Sequence, residues 1–363
     1  MPYANDNVPC TRWLTLALLG LAAVATVGCA EKKTKGKKKT SAKSAKKVVV
    51  AKARFTKEGD GLSGSIYRGT VTKASLADLN KRENLYEFVF QECDGFADDA
   101  LPELAKVKTL KSLSFLRCLV NDDALTHIAN LKGLTSLTFV RSKVTGSGLS
   151  RLKVLKNLSH LSFTGVTGSS GISSGIGTLA GLQRLEVFFV NLGEFRSDDL
   201  RTLSQLKQLS VRATDVSDKH LSDLPAIAGL EHLVVESHHI TDAGASRLKT
   251  FPSLRKVDLS GAQITDASLE TLGTLKHLED VTLADCVKIT SDGLKHLAKL
   301  KSLKSLILTR SGAKGAGLKH LAALKSLKRV QLMQNHATPD EVAALKAALP
   351  DCRIELIEPA PGG

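Results

Sequence analysis

The chain has 363 residues, of which 42% are hydrophobic, 24% charged and 4% aromatic. That composition folds in water and excludes a collagen-like, mucin-like or multi-pass membrane protein. The formal net charge is +15, but residues 31–57 supply +11 of it and everything from Glu58 onward only +4. The basicity therefore describes a tail, and it predicts no specific recognition of nucleic acid.

The first element is an apolar run of fifteen residues from Trp13 to Val27, WLTLALLGLAAVATV. It is short of the roughly 20 residues that a spanning helix needs and has the size of a secretory-signal core. It closes on Gly28 and Cys29. This ending resembles the processing signal of bacterial lipoproteins, with Thr26 where that family carries leucine. The resemblance implies removal of residues 1–28 and lipidation of Cys29. It also implies a lipid-anchored place at the cell envelope, facing outward or into the periplasm. A plain cleaved signal with secretion is the alternative. Residues 29–57 have few large apolar side chains and predict a disordered, lysine-rich linker. Nine lysines between Lys32 and Lys47 offer attraction to anionic lipid or envelope polymer.

From Leu85 the frame L-x-x-L-x-L recurs. Its first position falls at Leu85, Leu110, Leu134, Leu158, Leu182, Leu206, Leu230, Leu254, Leu278, Leu303 and Leu327. The steps are 24 or 25 residues, inside the 20 to 29 range of leucine-rich repeats. The stretch resembles a leucine-rich repeat solenoid. The resemblance implies an α/β fold that curves, with parallel strands on the concave face and short helical or 3₁₀ segments on the convex face. In one unit, Leu254, Val257 and Leu259 point inward from a strand, Ile264 returns to the core, and Leu269, Leu272 and Leu275 lie on an outer helical segment. Thr265 and Asp266 read as a helix cap.

Residues 58–84 contain VTKASLADL, the second half of a unit, and predict an N-terminal partial capping repeat. The repeats occupy 85–337. Residues 338–358 predict a C-terminal capping helix and strand, and 359–363 a frayed tail. Two units are degenerate: TGVTGSSGISSGIGTLAG, after Phe163, has lost its outer leucines and gained glycines, which predicts a loose, poorly helical loop, and the next, VFFVNLGEFRSDDL, breaks the phrase ITDAGL that other units carry. The column after each strand includes Cys93, Cys118 and Cys286, read as structural; a disulfide between Cys93 and Cys118 on neighbouring coils is the alternative.

Chemistry is sparse. There is no phosphate-binding loop, H-E-x-x-H or C-x-x-C. Glu236, His238 and His239 diverge in an extended turn and predict no metal. Asp258 and Asp280, on neighbouring coils, make a carboxylate pair on an open face without a pocket. The reading is of a non-enzyme without cofactor. The richest exposed cluster is Arg184, Glu186, Phe188, Phe189, Arg212, His232, Glu236, Lys256 and Asp258 on the strands, and aromatics beside arginines suit contact with a protein. The expected function is a monomeric protein-binding module at the cell envelope, its partner met by the concave face. The alternatives are an adhesive envelope element using the basic tail, and a ubiquitin-ligase-type adaptor, whose repeats GLKHLAKLKSLKSL resembles.

Overall fold

The structure is a computed structural model that describes residues 50–165, 171–188, 196–212, 215–333 and 337–357. All of them belong to one compact unit that begins at Val48. The apolar run, Cys29, the Lys32–Lys47 stretch, Phe189 and the last residues lie outside the described part.

Fourteen strands form one open sheet in chain order. β1 (Ala53–Glu58) and β2 (Gly61–Val71) make an antiparallel hairpin. Every later neighbour is parallel: β3 (Leu85–Phe96), β4 (Ser112–Leu116), β5 (Ser136–Val140), β6 (His160–Thr164) and β7 (Arg184–Phe188). The series continues through β8 (Gln208–Arg212), β9 (His232–Glu236), β10 (Lys256–Asp258) and β11 (Asp280–Thr282). It ends with β12 (Ser305–Ile307), β13 (Arg329–Met333) and β14 (Arg353–Ile357). From β3 onward each strand belongs to one coil, and short α or 3₁₀ segments carry the chain back to the next. This is the solenoid that the 24-residue frame predicts.

The strand at β1 corrects the expected linker boundary at residue 57. The alternation of Ala51, Ala53 and Phe55 gives this segment a core-facing side despite its lysines. Ala51 is buried, Ala53 and Phe55 pack against the core, and the Arg82 guanidinium lies 4.3 Å from the Phe55 ring centre.

The core is a set of in-register ladders. Leu113, Leu137, Leu161, Leu185, Leu209 and Leu233 stack on successive strands and are buried. Two residues on, Phe90, Phe115, Phe139 and Phe163 stack nearly face to face with centres 5.2 to 5.8 Å apart. The ladder continues in smaller residues, from Val187 to Leu332. No coil closes its apolar side alone, so stacking creates the core.

After the strand the chain must turn sharply to bring the next side chain inward. The turning residue adopts positive φ in coil after coil: Arg68, Glu92, Arg117, Arg141, Asp285 and Arg310, with glycine at 165 and 261. This conformation is unfavourable for a side-chain-bearing residue. The position is held because the turning residue's N–H still donates to the neighbouring strand, as Arg117 does to Val140 and Arg310 to Met333, both at 2.8 Å. The inward residue that follows is then Cys118, Ser142, Cys286 or Ser311, all buried.

A second device joins the helical segments and was not legible as such. Asp122, Asp218, Asp242 and Asp266 each grip a threonine of the next coil with both carboxylate oxygens. For Asp242 the Thr265 N–H donates at 2.9 Å and its hydroxyl at 2.7 Å; for Asp266 the Thr290 distances are 2.8 and 2.6 Å. Thr265 is indeed a helix cap, its hydroxyl accepting from the Ala267 N–H, whereas Asp266 serves its neighbour. The glycine three residues after a gripped threonine is thereby explained: a Cβ on Gly148, Gly244 or Gly293 falls on the carboxylate of the preceding coil.

Residues 166–170 of the glycine-rich coil lie outside the described part, and residues 171–177 correct the expectation of a loose loop. Ile172–Gly177 is a helix with Ile172 and Ile176 buried. Gly146 stands where other coils carry the gripping aspartate, and a Cβ there falls on the Gly171 carbonyl; a Cβ on Gly175 falls on the Gly146 carbonyl. The glycines permit backbone-to-backbone contact.

Candidate functional site

The parallel register brings most of the predicted cluster together on four adjacent strands. Arg184, Gln208, His232 and Lys256 form one row, and Glu186, Ser210, Val234 and Asp258 the next. Phe188, Arg212 and Glu236 form a third. Period-two alternation sends all of them to the open side while Leu185, Val187, Leu209 and Val211 enter the core.

Arg212 is the organising side chain. Its guanidinium carbon lies 5.5 Å from the Phe188 ring centre, an arrangement that attracts cation to ring face. Its Nε is 3.3 Å from Glu236 Oε2 and a terminal nitrogen 3.8 Å from Asp258 Oδ2. Asp258 is almost fully buried and also accepts from the Ser260 N–H at 3.0 Å and hydroxyl at 2.5 Å. These are ring and ion-pair contacts; Arg212 Nε makes no hydrogen bond among the described residues.

Next to it lies a chain of contacts that the predicted cluster only touched. The Ser136 hydroxyl and His160 Nδ1 are 3.2 Å apart, and His160 Nε2 is 3.5 Å from Glu186 Oε2. Burial alone would raise the Glu186 carboxyl, but His160, Ser162 and nearby Arg184 outweigh it and hold it below its ordinary value. Burial lowers His232, and Lys256 adds to the effect. The His160 contribution was visible only as membership of a strand column, because its partner sits one row over.

Other predicted groups separate. The register sets Lys256 opposite Asp280 and Asp258 opposite Thr282. The carboxylates therefore lie diagonally, and Asp258 is engaged by Arg212; a shared-proton pair is not formed. His238 Nδ1 is 2.9 Å from the Gly261 carbonyl oxygen, which anchors a turn. Among the described residues no group of three His, Cys, Asp or Glu is placed to hold a metal, and no helix is long and apolar enough to cross a membrane.

The four described cysteines are buried thiols. The Cys93 N–H donates to Cys118 Sγ at 3.4 Å, and Cys286 Sγ donates to the Leu259 carbonyl at 3.2 Å. The contact with Cys118 and then burial push the Cys93 thiol up, and burial pushes Cys286 up to about 12. Protonated buried thiols are poor nucleophiles, and these act as turn-binding members of the column.

One strand per coil, parallel pairing from β2 to β14 and a leucine ladder define a leucine-rich repeat solenoid. A family model described as Leucine Rich repeat matches residues 230–249 and 252–273, the coils of β9 and β10. Among solved structures the chain is similar to an internalin from Listeria monocytogenes, at 18% identity over 79% of this chain and 86% of that one, with a TM-score of 0.52. A leucine-rich repeat protein from Leptospira interrogans aligns at 18% identity over 80% and 89% of the two chains, with a TM-score of 0.38. The likeness to the internalin is one of fold. No curated protein matches the chain in sequence.

Proposed function

We propose that the chain is a non-enzymatic protein-binding module displayed at the cell envelope, meeting its partner with the open strand face of β7–β10. The observation that carries this reading is the pre-ordered Arg212, stacked on Phe188 and held by Glu236 and Asp258. A long side chain already restrained by a ring and two carboxylates loses less freedom on binding, and arginine with an aromatic is a pairing that concentrates binding energy in interfaces. The fold supports the reading, since the parallel strands of a leucine-rich repeat offer an extended face for contact with a protein. Envelope display is supported by the apolar run that ends at Gly28 and Cys29.

Placing a photo-crosslinking amino acid at Phe188, at Ser210 and, as a control, at Lys319 on an outer segment tests the contact in cells. We expect the same protein adduct from the two strand positions and none from Lys319; equal adducts from all three would remove the assignment of the face. Intact mass of the mature protein tests display. A start at Cys29 with added lipid is expected, and a start at residue 1 would overturn it.

A further inference from the structure

The small net charge of the folded part conceals a segregation. From Gly293 to Thr338 the chain carries eight lysines and two arginines and no aspartate or glutamate, +10 in all. The remainder from Glu58 onward therefore nets −6. The repeat explains where the charges go. Helical segments run the same way in every coil, so their N-termini share one edge of the array and their C-termini the other. Carboxylates favour the first and lysines the second, because each complements the partial charge of the helix end. Lys108 and Lys132 donate to the Ala105 and Ala129 carbonyls at 2.7 Å, and Lys301 and Lys325 to those of Ala298 and Ala348 at 2.9 Å.

The two edges differ in what remains available. Asp122, Asp218, Asp242 and Asp266 are consumed in gripping the next coil. On the opposite edge, Lys276, Lys301 and Lys325 occupy the same position on three successive coils, with Lys304 and Lys328 just before the strands. All five are exposed. Neighbouring rungs are about 4.8 Å apart. Lys304 shares Glu279 with Arg255, at 2.5 and 2.6 Å, and Lys328 is 3.9 Å from Asp351. Lys276, Lys299, Lys301 and Lys325 have no carboxylate within ion-pair reach among the described residues.

We propose that this lysine edge, along the coils of β11–β13, lies against an anionic phospholipid surface. The inference rests on the envelope reading above for its membrane, though not on any protein partner. Cationic positions are spread along an edge without a cavity, which suits a field of phosphates better than one bound anion. They are lysines, compact point charges without a planar fork for bidentate capture. The apolar run and the nine lysines of Lys32–Lys47 belong to the same chain. Each lysine brought near an anionic leaflet strengthens binding about fivefold. The attraction is confined to a screening length of about 8 Å at physiological salt.

The test is lysine acetylation of the full chain, read by mass spectrometry, with vesicles of phosphatidylcholine alone or mixed with phosphatidylglycerol. We expect labelling of Lys299, Lys301 and Lys325 to slow at least fivefold on the anionic vesicles and to recover at about 1 M salt, where screening shrinks to about 3 Å. The protection should persist when the lysines of Lys32–Lys47 are changed to glutamine. In that background, Lys299→Gln, Lys301→Gln and Lys325→Gln together should weaken vesicle binding about a hundredfold. Protection confined to Lys32–Lys47, or equal protection on neutral vesicles, would overturn the proposal. So would protection by long-chain polyphosphate without protection by vesicles, which assigns the edge to a soluble polyanion. A mature chain that lacks an anchor yet shows the anionic-vesicle protection refutes the envelope reading and leaves the edge standing.

Discussion

Between residues 218 and 290 neighbouring coils are joined by carboxylates; between residues 146 and 177 they are joined by backbone against backbone. In the first region Asp218, Asp242 and Asp266 reach across to Thr241, Thr265 and Thr290. One residue of small size, Gly244, Ser268 or Gly293, makes room beside each carboxylate or donates to it. In the second region Gly146 replaces the aspartate, and the next coil moves in through Gly171 and Gly175. Both solutions satisfy the coil above, but one uses a side chain as spacer and the other removes it. Glycine-rich sequence in a repeat can therefore mark close approach, the opposite of slack.

The comparison has a common background in the core. Leu259 and Leu283 are fully buried on adjacent coils. Leu259→Ala should cost about 2–5 kcal/mol in urea unfolding, from lost transfer energy and the cavity. A cost under about 1 kcal/mol would show a core that relaxes around the gap.

The contrast itself is tested by paired glycine substitutions. Gly146→Ala should destabilise toward the upper end of the usual 1–3 kcal/mol for overpacking, since its new carbon meets backbone that cannot swing aside. Gly229→Ala has nothing within 4 Å and should leave stability unchanged or raise it by about 0.4–1 kcal/mol. Similar effects at both sites would abolish the distinction. Amide exchange in Ile172–Gly177 should match that in Asp266–Leu272; much faster exchange would restore the looser reading of this coil.

Asp242→Ala removes acceptors from Thr265 and Ser268 and should cost about 1–3 kcal/mol. Burial disfavours the Asp242 anion, yet the donors from Ser268 and Thr265 outweigh it and hold the carboxyl below its ordinary value. The folded state then binds this proton less readily than the unfolded chain does. The stabilisation is complete above the unfolded value of about 3.9 and is lost as pH falls through the lower folded one. Asp242→Asn should flatten the acid limb of the stability curve. An unchanged limb would mean that the grip holds without charge. The smallest effect belongs to the open face: Glu236→Gln, at a partly exposed ion pair, should change stability by less than about 1 kcal/mol, and less still in high salt. A larger loss would make Arg212 part of the scaffold.

Periodicity made the coil, its inward leucines and the strand columns legible, because burial repeats every 24 residues with little exception. Arg184, Glu186, Phe188, Arg212, His232, Glu236, Lys256 and Asp258 could be placed on one face for the same reason. Contacts between rows were not legible: Arg212 meets Asp258 two coils away and one row over, and nothing in either residue's own unit marks it. The aspartate grip was hidden because a threonine–aspartate pair at a helix start also reads as a local cap. The strand at β1 was hidden because Lys52, Arg54 and Lys57 beside its apolar residues resemble the linker before them.

The grip has a consequence for the length of the molecule. Its two halves, donor and acceptor, sit next to each other at Thr241–Asp242 and again at Thr265–Asp266, so a cut at the first pair can be rejoined at the second. The shortened chain loses one rung, about 4.8 Å of sheet. Asp218 still finds Thr241, and Ser268 arrives where Gly244 stood, in the role it already plays toward Asp242. At these two coils, therefore, duplication or deletion of a whole unit adjusts the number of coils while preserving the carboxylate grip.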